Sequence, residues 1–282
     1  MINLLKETWQ FLKENKGIFT IPIAFLIISD LVLPDDPYLN FVMFFILSMV
    51  VNIGFVNQIK ALKIEKTKET KIDDFFVGVG KYFSVLMSGI VISTLFSIFI
   101  VTVISWSMDL ITKIDEKKLE QIQTIRKNIV TKKTTDEITN YILSVDPEIQ
   151  KIFFIWMIGV SILILILSIL YFFTALWVNV AIIKDFSFLE SCKKSVKIVF
   201  RNFGSYTFFV ALNSLYFFLL LVLKTVSNDN FLVILLDIIL NIYVGTYFSI
   251  LYFLFVFKYL EGEEKNGLQS ALSQIQKPDS EK

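Results

Sequence analysis

The strongest constraint on this chain is a set of long segments that contain almost no charged residues. Crossing the hydrocarbon core of a bilayer takes about 20 apolar residues in an α-helix. Six segments come close to this length or exceed it, and their predicted limits are Ile18–Leu33, Tyr38–Ile59, Tyr82–Met108, Ile152–Ile183, Gly204–Leu223 and Phe231–Phe257. The sequence therefore predicts an all-α fold, a polytopic membrane bundle of six transmembrane helices.

Composition excludes several other classes of protein. Hydrophobic residues make up 55% of the 282 and charged residues 19%, whereas soluble domains average about 45–50% and about 25%. The mean hydropathy is +0.67, which argues against a water-soluble globule and against a disordered chain. Because 27 Lys and Arg residues face 26 Asp and Glu residues, no global field would attract nucleic acid.

Residues that usually carry chemistry are scarce. The chain has no histidine and one cysteine, Cys192, so the commonest zinc ligand, the commonest general base and an internal disulfide are all absent. No metalloprotease, P-loop or nucleophile-elbow motif occurs. We therefore expect a protein that is not an enzyme and that binds neither a metal ion nor another cofactor.

The loop charges predict the orientation of the helices. If the six segments span the membrane, 18 of the 27 Lys and Arg residues lie at the two termini and in the even-numbered links. The remaining nine lie in the odd-numbered links, all but one of them in a charge-balanced loop. Because Lys and Arg concentrate on the cytoplasmic side, we expect a multi-pass protein of the cell membrane with both termini in the cytoplasm.

Short amphipathic segments precede the spans that lead outward, and two of them are similar. Lys6–Ala24 and Lys193–Ala211 share five identities at a constant offset, including an Asn and a Gly at Asn15/Asn202 and Gly17/Gly204. A weaker third copy contains Gly80. These matches predict a three-fold parallel repeat of helical hairpins, with cytoplasmic interfacial helices at about 3–16, 70–80 and 187–202.

The third interfacial helix is the best defined of the three. Ser187 and Glu190 have the spacing of an N-terminal capping box. Apolar residues then follow on one face and cations on another, the pattern of a helix that lies in the headgroup plane. The cations, which are candidates for contact with anionic lipid headgroups or a cytoplasmic protein, are Lys193, Lys194, Lys197 and Arg201. Alternatively, these helices only anchor the bundle.

The whole of 1–258 is expected to form one membrane domain, followed by a polar cytoplasmic tail at 259–282. An external loop at about 109–150 has apolar residues near helical spacing among charges, which predicts a helical hairpin. Within the last span, Asp237 and Asn241 lie one helical turn apart and form a candidate intramembrane polar site. A carboxylate there costs about 2.5–3.5 kcal/mol on insertion scales, so Asp237 either binds a ligand or holds helices together.

Part of the chain resembles a known membrane domain. Ala175–Leu212 contains an apolar span that ends at Ile183–Asp185, then a short helix with Glu190, and then the Arg-Asn-Phe-Gly sequence of Arg201–Gly204. This segment is similar to the integral membrane domain that precedes some glycerophosphodiester phosphodiesterase catalytic domains, and to related stand-alone bacterial six-span proteins. The resemblance implies an accessory role without catalytic residues. Because only 259–282 follow the last span, we do not expect the phosphodiesterase activity here.

Together these observations predict a non-enzymatic integral membrane protein, a transport-related or envelope accessory subunit that engages lipid or a protein partner. One alternative is the permease subunit of an export-type transporter with an ATPase partner, which six spans would fit. That class usually has a re-entrant segment before its last span, and Ser227–Asn230 leaves no room for one. A membrane-embedded lipid-modifying enzyme is a second alternative, for which candidate residues are lacking.

Overall fold

A computed structural model describes residues 1–32, 36–67, 71–112, 116–130, 137, 141, 144–226 and 231–275. Within these ranges every regular element is helical, which confirms the all-α prediction. The helices are α1 (Ile2–Glu14), a 3-10 turn (Lys16–Phe19), α2 (Thr20–Val32), α3 (Pro37–Lys63), α4 (Ile72–Thr112), α5 (Glu116–Val130), α6 (Pro147–Thr174), α7 (Trp177–Lys184), α8 (Phe188–Arg201), α9 (Phe203–Val226) and α10 (Phe231–Ile275).

Four helical segments in the described residues are long and apolar enough to cross a membrane. They are Ile72–Met108, Pro147–Lys184, Phe203–Val222 and Leu235–Lys265, and they overlap the last four predicted spans. A shorter apolar segment, Lys16–Ser29, overlaps the first predicted span at residues 18–29. At 1.5 Å per residue this segment is roughly 20 Å long, less than the hydrocarbon core. The second predicted span, Tyr38–Ile59, lies in α3 (Pro37–Lys63), which is not among the four segments. The first two spans remain predictions, while the other four segments are those expected of a multi-pass membrane protein.

The chain divides into two compact units. Unit 1 comprises Met1–Gly89 and Phe173–Lys282, and unit 2 comprises Ile90–Phe172. The core of unit 1 lies around α7 and the middle of α10. Every residue of Val178–Ile183 is buried, and Ile250, Leu251, Phe253, Leu254 and Val256 are fully enclosed. A helix that is apolar on all sides belongs in an interior, and α3, α8 and α10 all pack against α7.

The fourth predicted span, Ile152–Ile183, is interrupted rather than uniform. Helix α6 ends at Thr174 and α7 begins at Trp177. The hydroxyl of Ser195 on α8 donates a hydrogen bond to the backbone oxygen of Phe173 at 2.9 Å. A carbonyl at the end of a helix has no partner within the helix, so this contact satisfies a group that the break exposes.

Two of the three predicted interfacial helices are separate elements. Asn15 is the C-cap residue after α1 and Asn202 is the C-cap residue after α8. At about 70–80, where a separate interfacial helix was expected, the helix does not end: α4 runs without a break from Ile72 to Thr112. In the aligned repeat, Gly78 occupies the place of Asn15 and Asn202, so the residue that ends the other two helices is missing there.

Close contacts join α3 to the start of α4. A Cβ atom added at Gly78 would lie 2.4 Å from the Asn57 Cβ, and one added at Gly54 would lie 2.3 Å from the Phe75 ring. The Asn57 side-chain amide donates to the backbone oxygen of Asp74 at 2.7 Å. The two glycines therefore allow an approach that no larger residue would permit.

Unit 2 has a small core of its own. Ile125 of α5 and Ile149 and Ile152 of α6 are buried together, and Trp156 packs against them. The first half of the predicted external hairpin is thus helical. The break expected at Thr131–Thr135, like residues 276–282 of the predicted polar tail, lies outside the described residues. The tail begins as a continuation of α10, which remains helical to Ile275.

Candidate functional site

Three of the four predicted cations of α8 converge on one carboxylate of α10. Glu263 pairs with Lys197 at 2.7 Å, with Arg201 at 3.1 Å and with Lys194 at 3.3 Å. The Tyr259 hydroxyl donates to the same carboxylate at 3.1 Å and accepts from Arg201 at 3.1 Å. We call this group the Glu263 cluster. It ties the cationic face of α8 to the segment that follows the last span.

Lys193 differs from its three neighbours. It is exposed, and it has no ion pair with any of the described residues. Lys193 is about 100° around the helix from Lys194 and about 40° from Lys197, so it lies at the edge of the cationic face, and only Lys194, Lys197 and Arg201 pair with Glu263. The prediction treated all four cations as one surface, and the structure separates one of them from the cluster.

Helix α8 has two apolar sides. One side, formed by Phe188, Ser191, Ser195, Ile198 and Val199, is buried within unit 1. The other side carries Leu189 and Phe200, each 63% exposed, and continues to Phe203 at the start of α9, 51% exposed. The predicted N-terminal cap is present, since the Glu190 carboxylate accepts from the Ser187 backbone N–H at 3.2 Å. The helix is thus fixed to its unit while part of its apolar surface remains uncovered.

A second charged group surrounds Asp185, the residue that ends α7 in a left-handed conformation (φ 55°, ψ 36°). Its carboxylate pairs with Lys81 at 2.8 Å and Lys60 at 3.4 Å, and it accepts a hydrogen bond from Tyr82. Partial burial opposes ionisation of Asp185, but the bonds from Lys81 and Tyr82 and the charge of Lys60 outweigh it, lowering the pKa to about 2. We call this group the Asp185 cluster.

Lys60 is the least exposed cation of the Asp185 cluster. The residue is 9% exposed, and its ammonium donates to the Ile182 backbone oxygen at 2.7 Å and to the Tyr82 hydroxyl at 3.2 Å. Buried ammonium groups require partners of this kind, because desolvation is costly. The group therefore joins α3, α4 and α7. Sequence analysis noted Asp185 only as part of a motif and counted Lys60 and Lys81 as loop cations, so it missed this cluster.

Glu7 of α1 is a third acid held by cations from other helices. It pairs with Lys258 on α10 and, at 3.0 Å, with Lys63 at the end of α3. Partial burial opposes ionisation here too, but the hydrogen bonds from Lys258 and Lys63 keep the pKa of Glu7 below its ordinary value. These pairs bring the N-terminal helix, the end of α3 and the end of the last span to the same end of unit 1.

The two helix-ending asparagines have matching geometry. Asn15 (φ −118°, ψ 55°) donates from its side-chain amide to the Phe11 oxygen at 2.8 Å, and Asn202 (φ −123°, ψ 32°) donates to the Ile198 oxygen at 3.1 Å. In each case the backbone N–H of the same Asn also donates to that oxygen. In each helix the C-cap side chain thus adds a second donor to the carbonyl one turn before it. The repeat itself stays a prediction.

The predicted intramembrane pair is hydrogen-bonded. Asp237 is 7% exposed, and the Asn241 amide donates to its carboxylate at 3.0 Å and to its backbone oxygen at 2.9 Å. The pair thus satisfies part of its own hydrogen-bonding capacity within one turn of α10. No group of three or more potential metal-ligating side chains occurs in the described part of the chain.

Comparison with known proteins adds no family to this description. No protein-family model matches the chain. Searches of the curated proteins and of the solved structures likewise found no match. The similarity of Ala175–Leu212 to the membrane domain of glycerophosphodiester phosphodiesterases therefore stays a prediction, and function has to be argued from the geometry.

Proposed function

We propose that this chain is a non-enzymatic integral membrane protein, an accessory subunit of a transport or envelope system that engages anionic lipid or a protein partner through α8. The observation that carries the proposal is the division of α8 into three surfaces. One side packs inside unit 1, the Leu189 and Phe200 side is uncovered, and the cationic side is held near α10.

The uncovered side suits the boundary between headgroups and acyl chains. An amphipathic helix at that boundary buries its apolar residues roughly 5–10 Å deep and keeps its cations among the headgroups. Each cation near an anionic leaflet contributes about 1 kcal/mol. Leu189 and Phe200 belong to a unit whose other helices include apolar spans, so lipid is the solvent nearest to them.

Orientation is part of the same proposal. The contacts of Glu7 with Lys63 and Lys258, and of Glu263 with Lys197, gather α1, the end of α3, α8 and the end of α10 at one end of unit 1. Those are the segments in which Lys and Arg concentrate. We place this end in the cytoplasm on the positive-inside rule.

The non-enzymatic role is supported by what the acids at this end do. Glu7, Asp185 and Glu263 each receive cations from other helices. A carboxylate whose pKa is lowered by such partners makes a poor general base near neutral pH, but it makes a good tie between helices. We infer that these residues hold α8 in position for a partner.

The depth of α8 in a membrane tests the proposal. In a Cys192→Ser background, a fluorophore is attached at Leu189→Cys, Phe99→Cys or Glu261→Cys, and the protein is reconstituted into vesicles that contain phosphatidylglycerol. We expect lipid-borne quenchers to report a depth for Leu189 that is intermediate between that of Phe99, within the hydrocarbon core, and that of Glu261, in water. If a water-soluble quencher reaches Leu189 as readily as Glu261, α8 does not lie at the interface.

The two alternative functions have their own measurements. Turnover of a labelled lipid extract by the reconstituted protein, abolished in Asp237→Asn, would overturn the non-enzymatic role in favour of a lipid-modifying enzyme. Stimulation of a co-purified ATPase by transport substrate would instead favour a permease subunit. A cytoplasmic protein whose co-purification is lost in Lys193→Glu would support the accessory role.

A further inference from the structure

A pocket of about 450 Å³ lies beside the Glu263 cluster, where the end of α7 and the cationic side of α8 meet α10. Its walls include Lys184, Lys194 and Arg201 as well as Glu263 and Glu264, with Phe186 and Leu260 as apolar neighbours. This size is within the range of small-molecule sites. The pocket is within unit 1, and its cations come from two separate helices.

The pocket has more positive charge than its carboxylates neutralise. Lys184 pairs with Glu264, which leaves that pair neutral. Of the other lining residues, Glu263 faces both Lys194 and Arg201, so the lining has an excess of one positive charge. Lys197 also pairs with Glu263 and adds a second positive charge next to the pocket, although it does not line it. Lys194 and Arg201 have side chains that are 37% and 58% exposed, so their ammonium and guanidinium groups are accessible to a ligand. A bound anion would offset this excess of positive charge.

We propose that this pocket binds a phosphate group, either the phosphodiester of a lipid headgroup or a phosphate from solution. This inference rests on the proposed function, which it deepens by giving α8 a specific ligand chemistry. The guanidinium of Arg201 offers two parallel donors to phosphate oxygens, and Lys194 adds a point charge. The exposed Phe200 and Phe203 flank Arg201 in sequence, so acyl chains of a lipid would have apolar surface beside the headgroup.

Glu263 competes with the ligand in this arrangement. Its carboxylate accepts hydrogen bonds from the same cations that would bind the phosphate, so the ligand must either share these cations with Glu263 or displace its carboxylate. Replacing it should therefore strengthen binding, although it removes a tie between α8 and α10. A residue with a purely structural role would show the reverse, because loss of the tie would loosen the pocket.

The test uses the full chain in dodecyl maltoside micelles and two probes, inorganic phosphate and phosphatidylglycerol delivered in the same micelles. Calorimetric titration measures affinity, and thermal melting measures stability separately. We expect Arg201→Gln to weaken binding about tenfold and Lys194→Gln about fivefold. The matched control is Lys193→Gln, the same charge change one residue away on the same helix but outside the pocket, with an expected change below about twofold. Glu263→Gln should bind more tightly, by roughly fivefold.

The two probes separate the sources of the phosphate. Binding of inorganic phosphate indicates a soluble ligand, and binding of phosphatidylglycerol alone indicates a lipid headgroup; either result supports the pocket. If Lys193→Gln and Lys194→Gln weaken phosphate binding equally, the pocket proposal is overturned, because a diffuse cationic surface would explain that result. The proposed interfacial role of α8 would not be affected. Failure of both probes to bind the unaltered chain, or weaker binding in Glu263→Gln, would also overturn it, whatever depth the quenchers report for Leu189.

Discussion

The two units of this chain hold their helices together in different ways. In unit 1, polar and charged side chains join helices across the core, as Lys60 does by contacting Tyr82, Ile182 and Asp185. In unit 2, the buried contact between α5 and α6 is apolar and consists of Ile125, Ile149 and Ile152. The last span is also the most enclosed: 39% of the residues in its most apolar stretch are buried, against 6% in Ile72–Met108, 11% in Pro147–Lys184 and 17% in Phe203–Val222.

This contrast separates two sources of stability. Unit 1 depends on particular partners, so single substitutions there should be costly. The long apolar helices of unit 2 expose residues such as Phe99 and Leu165, 63% and 59% exposed, and apolar groups of this kind are stable only in a solvent that is itself apolar. Unit 2 should therefore tolerate the replacement of one apolar residue by another, but its stability should depend on the surrounding lipid.

The largest expected effect contrasts two phenylalanines. Phe253 on α10 is fully buried and Phe99 on α4 is 63% exposed. Phe253→Ala should lower the free energy of unfolding by about 3 kcal/mol, because it leaves a cavity among packed side chains. Phe99→Ala should change it by less than about 0.5 kcal/mol. Denaturant titration in mixed micelles measures both, and similar losses would erase the distinction between the units.

Glycine substitutions test the same contrast between the two units, and we expect their effects to be the second largest. Gly78→Ala places a Cβ against the Cβ of Asn57, which is fixed to the backbone, and should cost about 2 kcal/mol. Gly159→Ala in unit 2 meets only the flexible end of Met108, so we expect almost no loss. Gly80→Ala has open space around it and should stabilise α4 by about 0.5 kcal/mol. Thermal melts rank the three variants, and a larger loss for Gly159→Ala than for Gly78→Ala would reverse the assignment.

Acid should destabilise unit 1 through the Asp185 cluster. The pKa of Asp185 falls from 3.8 to about 2, so its stabilising contribution is present above pH 3.8 and is lost as the pH falls towards 2. Because its side chain is 52% exposed, we expect a contribution of only about 1 kcal/mol. The melting temperatures of the wild type and Asp185→Asn should therefore converge as the pH falls from 5 to 2.

An exposed carboxylate provides the control for that measurement. Asp73, at the start of α4, is exposed and lies outside the Asp185 cluster, so Asp73→Asn should cost less stability at pH 5 than Asp185→Asn. If the gap between wild type and Asp185→Asn stays constant down to pH 2, the contacts with Lys81, Lys60 and Tyr82 do not stabilise the ionised carboxylate.

The smallest effect concerns side-chain amides. Asn202→Ala removes the amide that occupies the Ile198 oxygen at the end of α8 and should cost about 0.5 kcal/mol. Asn128 of unit 2 donates to the Tyr141 hydroxyl in an exposed setting, where water can replace it, so Asn128→Ala should be nearly neutral. Hydrogen exchange at the C-terminal turn of α8 reports the first change. A larger effect of Asn128→Ala would contradict the view that unit 1 depends more on its polar contacts.

Sequence patterns predicted local features well. The capping box of Ser187 and Glu190 and the helix ends at Asn15 and Asn202 follow from interactions within one or two turns, which a sequence displays directly. The expected helix end near Gly80 did not occur, because the asparagine that ends the other two helices is replaced by Gly78, a residue that lets α4 approach α3.

Contacts between segments that are far apart in the sequence could not be predicted in the same way. Glu263 lies more than 60 residues from Lys194, Lys197 and Arg201, and Asp185 lies more than 100 from Lys60 and Lys81. Net loop charge predicted that cations would gather on one side but not which acid each one meets. The pairing depends on how α7 and α10 pack, and that packing leaves no periodic signal in the sequence.

The most direct test of the central claim, a multi-pass chain with the charged end of unit 1 in the cytoplasm, is cysteine labelling in intact bacterial cells. The sole native cysteine is removed by Cys192→Ser, and single cysteines are introduced by Glu120→Cys in α5 and Lys193→Cys in α8, both at exposed positions. We predict that a membrane-impermeant maleimide labels Glu120→Cys in intact cells and Lys193→Cys only after permeabilisation. Labelling of both in intact cells, or of Lys193→Cys alone, would contradict the account.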